Sequence, residues 1–160
     1  MIKKFLHVIS FCLLTQASFA AGNSSSDPAV SDSYSNPQKA AQSFVKSGKK
    51  LESKGKNEKA LKLYNRAYKK LLEANEADSG NPDILNYLGF TLRKAGKYEQ
   101  AEKYYLQGLE IEPNHNGINE YLGELYIQTN RMDKAKARLA VLKNCNCEEY
   151  IELKELIEKN

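Results

Sequence analysis

Tryptophan is absent from this 160-residue chain, histidine occurs twice and cysteine three times. Ten tyrosines supply most of the aromatic surface instead. So few histidines and cysteines leave little for metal binding. Cys145 and Cys147 stand one residue apart, with no second cysteine pair or nearby histidine to complete a four-ligand zinc site. His115 lies in "PNHNG", where Asn and Gly favour a turn, and a lone turn histidine is expected to be solvated rather than catalytic. There is no GxSxG or HExxH stretch and no phosphate-binding glycine loop. Carboxylates are plentiful but fall beside lysines at i, i+4, as in Glu99–Lys103, the pattern of solvated pairs. These absences argue against an enzyme and against a bound cofactor or metal.

Charge of one sign is also lacking. The 24 basic and 20 acidic residues nearly balance, so no concentrated basic face calls for nucleic acid or an anionic membrane as partner. Beyond the first twenty residues no apolar run is long enough for a membrane helix, and no stable membrane insertion is expected.

The N-terminal segment reads as a secretory signal. Met1 to Lys4 carries two positive charges, Phe5 to Leu14 is mostly apolar, and Ser18 and Ala20 are small. Cleavage is expected after Ala20, with a periplasmic or secreted product. The alternative, a buried N-terminal helix, is opposed by the Ser/Asp/Asn-rich stretch that follows. Cys12 follows the large Phe11, so no lipid anchor is expected. Residues 21–38 are small and polar with two prolines; they cannot bury enough apolar surface to offset ordering and are expected to form a flexible leader.

The remaining chain repeats. Ala60, Ala101 and Ala135 each follow a turn residue (Gly55, Gly96, Asn130) and each precede a bulky residue by four positions (Tyr64, Tyr105, Leu139). Upstream of each turn, apolar residues recur at i, i+3, i+4 and i+7, as in Leu85, Leu88 and Leu92, the stripe of an amphipathic helix. Gly48, Gly89 and Gly123 interrupt that stripe. Glycine inside a helix costs about 0.5–1 kcal/mol against alanine, which makes sense where a second helix packs on the bare backbone. Each unit is therefore helix, turn, helix.

The first two alanines are seven residues further apart than the last two, about two helical turns. An extension of the first unit's second helix, with Tyr64, Tyr68, Leu71, Leu72 and Ala74 on one face, keeps the apolar side in phase, and Gly80 and Pro82 end it. A seven-residue loop is the alternative. Residues 148–160 read as a final helix with Tyr150, Leu153, Leu156 and Ile157 on one side, covering the exposed end of the stack.

Together these marks resemble the tetratricopeptide repeat family over roughly Gln38 to Cys147. The middle unit carries the pattern best, through Leu85, Leu88-Gly89, Leu92, Ala101, Tyr105 and Pro113. The third departs by placing Asn119 where the first large apolar residue usually sits and Cys147 in place of the proline; the first has Ser47 in a usual leucine place. The resemblance implies an all-α solenoid of about three units (39–81, 82–115, 116–147) plus a capping helix at 148–160. Some short secreted bacterial repeat proteins end in a similar cysteine, acidic, tyrosine stretch.

The resemblance also implies where function sits. Such solenoids bind through a concave groove lined by the first helix of each unit. That register selects Lys46, Lys49, Asn86, Tyr87, Phe90, Arg93, Lys94, Glu120, Tyr121 and Glu124, with Tyr87, Phe90 and Tyr121 as aromatic anchors between opposite charges. Packing between adjacent units is the competing role for Tyr87 and Tyr121. The lysine, asparagine and arginine clamp of the chaperone-tail binders is not matched: only Lys49 is basic at the corresponding places. Three functions remain open: a non-catalytic module binding an unknown peptide or protein helix, an assembly factor for an envelope or pilus complex that could form a homodimer, and redox or metal handling through Cys145 and Cys147. The cysteine pair falls in the turn before the capping helix. An oxidising compartment favours a turn-locking disulfide, with unpaired or intermolecular cysteines as the alternative.

Overall fold

In the computed structural model, residues 36–160 are described. The signal segment and most of the leader lie outside the described residues. Seven helices follow: α1 (Pro37–Glu52), α2 (Asn57–Ala77), α3 (Pro82–Lys94), α4 (Tyr98–Ile111), α5 (Asn116–Gln128), α6 (Met132–Leu142) and α7 (Glu148–Glu158). No strand occurs among the described residues. The chain is all-α, three helix–turn–helix units closed by one further helix.

Helix α1 starts inside the segment whose composition assigns it to the leader, a correction of two residues. Pro37 suits the first helical turn, where its missing N–H loses no bond, and the Asn36 side chain accepts from Lys39 N at 3.0 Å. Within each unit the inner turn takes one left-handed residue: Gly55 (φ 70°), Gly96 (φ 73°) and Asn130 (φ 58°). Asparagine tolerates that region better than any bulky residue, so the third unit turns without glycine.

The extra spacing between the first two alanines is helix. At 21 residues α2 is seven longer than the 14-residue α4. Its added turns keep Leu71 and Ala74 buried, with Tyr68 and Leu72 packed partly against the core. Gly80 (φ 84°) then reverses the chain and Asn81 caps α3, accepting from Asp83 N (3.0 Å) and Ile84 N (3.3 Å).

Close packing explains the helical glycines. A methyl group at Gly48 would collide with the Tyr64 ring, and one at Gly89 with Tyr105. In the third unit the partner changes. Gly123 faces Leu153 of α7, not a residue of α6, so the capping helix takes the place that the second helix fills elsewhere. Leu153 is fully buried there and Ile157 packs on the core of units two and three. The core is one seam in two halves, centred on Tyr64, Leu71 and Leu88 at one end and on Tyr105, Leu122 and Leu125 at the other.

The turn between α6 and α7 holds the cysteines. Cys145 and Cys147 have their sulfurs in bonding contact and Cα atoms 5.2 Å apart, with Asn146 between them at φ 49°. Among the described residues, no helix is long and apolar enough to cross a membrane.

Candidate functional site

Helices α1, α3 and α5, the first of each unit, pack side by side and form one face of the molecule. Its two ends differ in chemistry.

The end over α1 is aromatic and basic. Phe90 stands edge-on to Tyr64 (centroids 5.4 Å, 88°) and tilted against Tyr121 (5.1 Å, 50°). Lys49 Nζ lies 5.2 Å from the Phe90 centroid and 5.1 Å from that of Tyr121, and donates to Tyr121 Oη at 2.8 Å. Lys94 donates to Glu52 at 2.8 Å, and Tyr64 Oη donates to the same carboxylate at 2.7 Å. Burial opposes ionisation of Glu52, but the bonds from Lys94 and Tyr64 outweigh it and hold its carboxyl below the usual value. Arg93 contacts Glu124 at 2.7 Å. Burial disfavours the charged guanidinium, yet Tyr105 and Glu124 beside it more than compensate.

This geometry corrects part of the register. Phe90 is 1% exposed and Arg93 3%, and neither lines the cleft at the end toward α7, so neither offers a surface to a partner. Phe90 is enclosed by Tyr64, Tyr121 and the surrounding cations, and Arg93 by its pairing with Glu124. They stand behind the face and support it. Lys46 and Lys49 are exposed; Tyr87, Lys94, Tyr121 and Glu124 are half-buried.

The end toward α7 opens into a cleft of about 510 Å³. Helix α3 supplies Asp83, Asn86 and Tyr87; the turn from α4 into α5 supplies Glu112 and His115; α5 supplies Glu120 and Tyr121; α7 supplies Glu149. Four of the ten groove residues chosen by register therefore meet here: Asn86, Tyr87, Glu120 and Tyr121. Glu112, His115 and Glu149 were not among those ten.

The turn that carries His115 is built, not loose. His115 Nδ1 accepts from Ile118 N at 3.2 Å and so caps α5. Its proton then sits on Nε2, 3.2 Å from Asp83 Oδ1. The expected solvated histidine is instead a cap whose side chain is largely covered. Asn119, the departure from the repeat pattern, donates to the carbonyls of Pro113 and His115 at 3.0 Å each and accepts from Arg138 at 3.2 Å. A polar residue replaces the usual apolar one because it ties this turn to α6. Gly117 leaves no room for a side chain beside the Asn86 amide nitrogen.

Two polar atoms at the cleft have no partner. Asn86 Oδ1 and Glu120 Oε1 are buried without a hydrogen-bond donor. Burial, the neighbouring Glu152 and repulsion from Glu124 push the Glu120 carboxyl up to about 9, against an opposing pull from Lys49.

Stacked helix pairs with a capped end and a site on the first-helix face define the class of helical-repeat proteins. Within that class two family models described as Tetratricopeptide repeat match residues 40–114 and 92–157, so they run through all three units and the cap. The chain belongs to the tetratricopeptide repeat family. A curated relative, mouse Protein O-mannosyl-transferase TMTC3, is 27% identical over 77 residues, which is 48% of this chain and 8% of that protein. The chain thus spans under a tenth of that relative's length. Among solved structures, the first TPR domain of human RPAP3 is 19% identical with a TM-score of 0.50, covering 74% of this chain and 90% of that one. The second TPR domain of the same protein, in complex with the HSP70 peptide SGPTIEEVD, is 22% identical with a TM-score of 0.47, covering 78% and 99%.

Proposed function

We propose that this protein is a non-catalytic interaction module that binds a peptide or helix of another protein across the face of α1, α3 and α5. The observation that carries this reading is the cleft itself. It opens on that face and is lined by two half-buried tyrosines, Tyr87 and Tyr121, from neighbouring units. Tyrosine brings large contact area, few rotors and one polar handle to such a surface. Tyr121 is also preorganised, held by Lys49 from one side and Phe90 from behind. Membership of a repeat family built on stacked helix pairs supports the same reading, because these solenoids present extended binding faces. The basic, apolar and small pattern of Met1 to Ala20 supports export to a periplasmic or secreted location.

The test is a random peptide display library panned on the purified chain, followed by Y87A. Peptides whose binding is lost in Y87A while its melting curve stays unchanged support the reading. Peptides that bind Y87A as well as the parent protein, or a library that yields no binder, overturn it. Substitution at Phe90 is unsuitable here because that ring is core, and its removal reports stability.

A further inference from the structure

We propose that the cleft beside α7 is a recognition pocket for one basic side chain, a guanidinium or ammonium group, of a bound peptide. This rests on the interaction reading above and specifies the chemistry of the partner.

Charge is the first observation. Asp83, Glu112, Glu120 and Glu149 line the cleft from four different parts of the fold, and no lysine or arginine lines it. His115 adds no free positive group: one ring nitrogen caps α5 and the other faces Asp83. These carboxylates come from separate elements: Asp83 and Glu112 are exposed, Glu149 is half-buried and Glu120 is buried.

The second observation is independent of charge. Asn86 is 7% exposed and Glu120 3%, both line the cleft, and each keeps one side-chain oxygen without a donor. Buried polar atoms are normally satisfied, and an orphan at a cleft marks a missing partner. The Asn86 oxygen can only accept, so its missing partner donates, and Glu120, protonated beside Glu152, becomes an acceptor once it gives up that proton. Guanidinium offers five donors and no acceptor, ammonium three, and bonds from either to a carboxylate are among the stronger ones.

The walls fit the same ligand. Tyr87 and Tyr121 are the aromatic residues of the cleft, and tyrosine faces attract cations. The volume, about 510 Å³, falls within the roughly 300–1,000 Å³ range of small-molecule clefts and leaves room for one side chain to enter. The His115–Asp83 contact ties α3 to the turn at the rim. Entry of a cation also favours ionisation of Glu120, because it adds a second positive neighbour to the pull of Lys49.

The pocket has the sign opposite to a carboxylate clamp. Lys49, on α1, borders the cleft through its bond to Tyr121 but does not line it, so the lining itself stays acidic.

The experiment is an NMR titration of the isotopically labelled chain with blocked Gly-Arg-Gly, and with the same peptide carrying neutral citrulline. The expected result is amide shifts at Asp83, Asn86, Gly117 and Glu120 with arginine and none with citrulline. E120Q, which keeps the shape but cannot ionise when a cation enters, should weaken arginine binding about tenfold or more, as loss of one charge-assisted bond implies. A thermal melt of E120Q confirms that it is folded. Equal shifts with citrulline, shifts confined to other parts of the chain, or unaltered binding by E120Q overturns the pocket. Display peptides that depend on Tyr87 but carry no basic residue would sink this proposal and leave the interaction reading standing. Absence of any Tyr87-dependent peptide, with arginine still bound at Glu120, would do the reverse.

Discussion

Arg93 of α3 reaches Glu124 of α5 at 2.7 Å, with the arginine side chain 1% exposed and the glutamate 19%. The pair crosses from the second unit to the third, under the floor of the first-helix face. Removing one partner leaves a buried cation uncompensated. E124A should therefore destabilise by about 3–5 kcal/mol in urea melts, whereas R93M/E124L should cost far less because both charges go. Equal losses in the two variants would show that the contact is packing and not charge.

The Gly123–Leu153 contact makes α7 part of the third unit. L153A should cost about 2–5 kcal/mol, the range for a large buried residue cut to alanine. G123A should be destabilising too, because its methyl group meets the Leu153 side chain. The double variant makes room for that methyl, so its loss should fall short of the two singles added together. Strict additivity in thermal melts would mean that the two positions do not share the space described.

Much of this was legible in the chain. The anchoring alanines and helical glycines fixed three units in phase, and the seven-residue surplus predicted a longer α2 because Leu71 and Ala74 stayed in register. The site was less legible, for two physical reasons. Register along a helix assigns a direction but cannot say how deep a side chain lies, and Phe90 and Arg93 point toward the face yet are covered by Tyr121 and Glu124 from the next unit. The cleft also draws on residues far apart in sequence. Glu149 comes from the cap, Glu112 from a helix end and His115 from a turn, and nothing in their local pattern distinguishes them from solvated surface. Asn119 was the available signal: a polar residue in an apolar slot, which the structure explains by its bonds to Pro113 and His115.

Glu120 should make stability depend on pH in an unusual direction. Its carboxyl titrates at about 9 in the fold against an ordinary 4.5, with Glu152 from α7 and Glu124 on its own helix repelling the charge and Lys49 from α1 favouring it. Between those values the folded chain keeps a proton that the unfolded chain releases. Its contribution to stability is therefore present below about 4.5, declines as pH rises, and levels off above about 9. Glu52 works oppositely: its lowered carboxyl stabilises the fold above 4.5, and that stability is lost as pH falls. Urea melts from pH 5 to 9 should show E120Q gaining on the parent protein as pH rises. A constant difference across that range would mean that Glu120 is already ionised.

The Cys145–Cys147 contact should matter locally. A bond closing so short a loop removes little entropy from the unfolded chain, so C145S/C147S should cost about 2 kcal/mol or less. Its effect should concentrate in α7, which starts directly after Cys147 and whose Glu149 reaches the cleft. Hydrogen exchange should show faster opening across residues 148–158, with the amides of α2 and α4 unchanged. Because α7 also supplies Leu153 to Gly123, a loosened turn should disturb the cleft without unfolding the first two units. A uniform loss of protection over all helices would instead make the pair a global staple, which its sequence separation of 2 argues against.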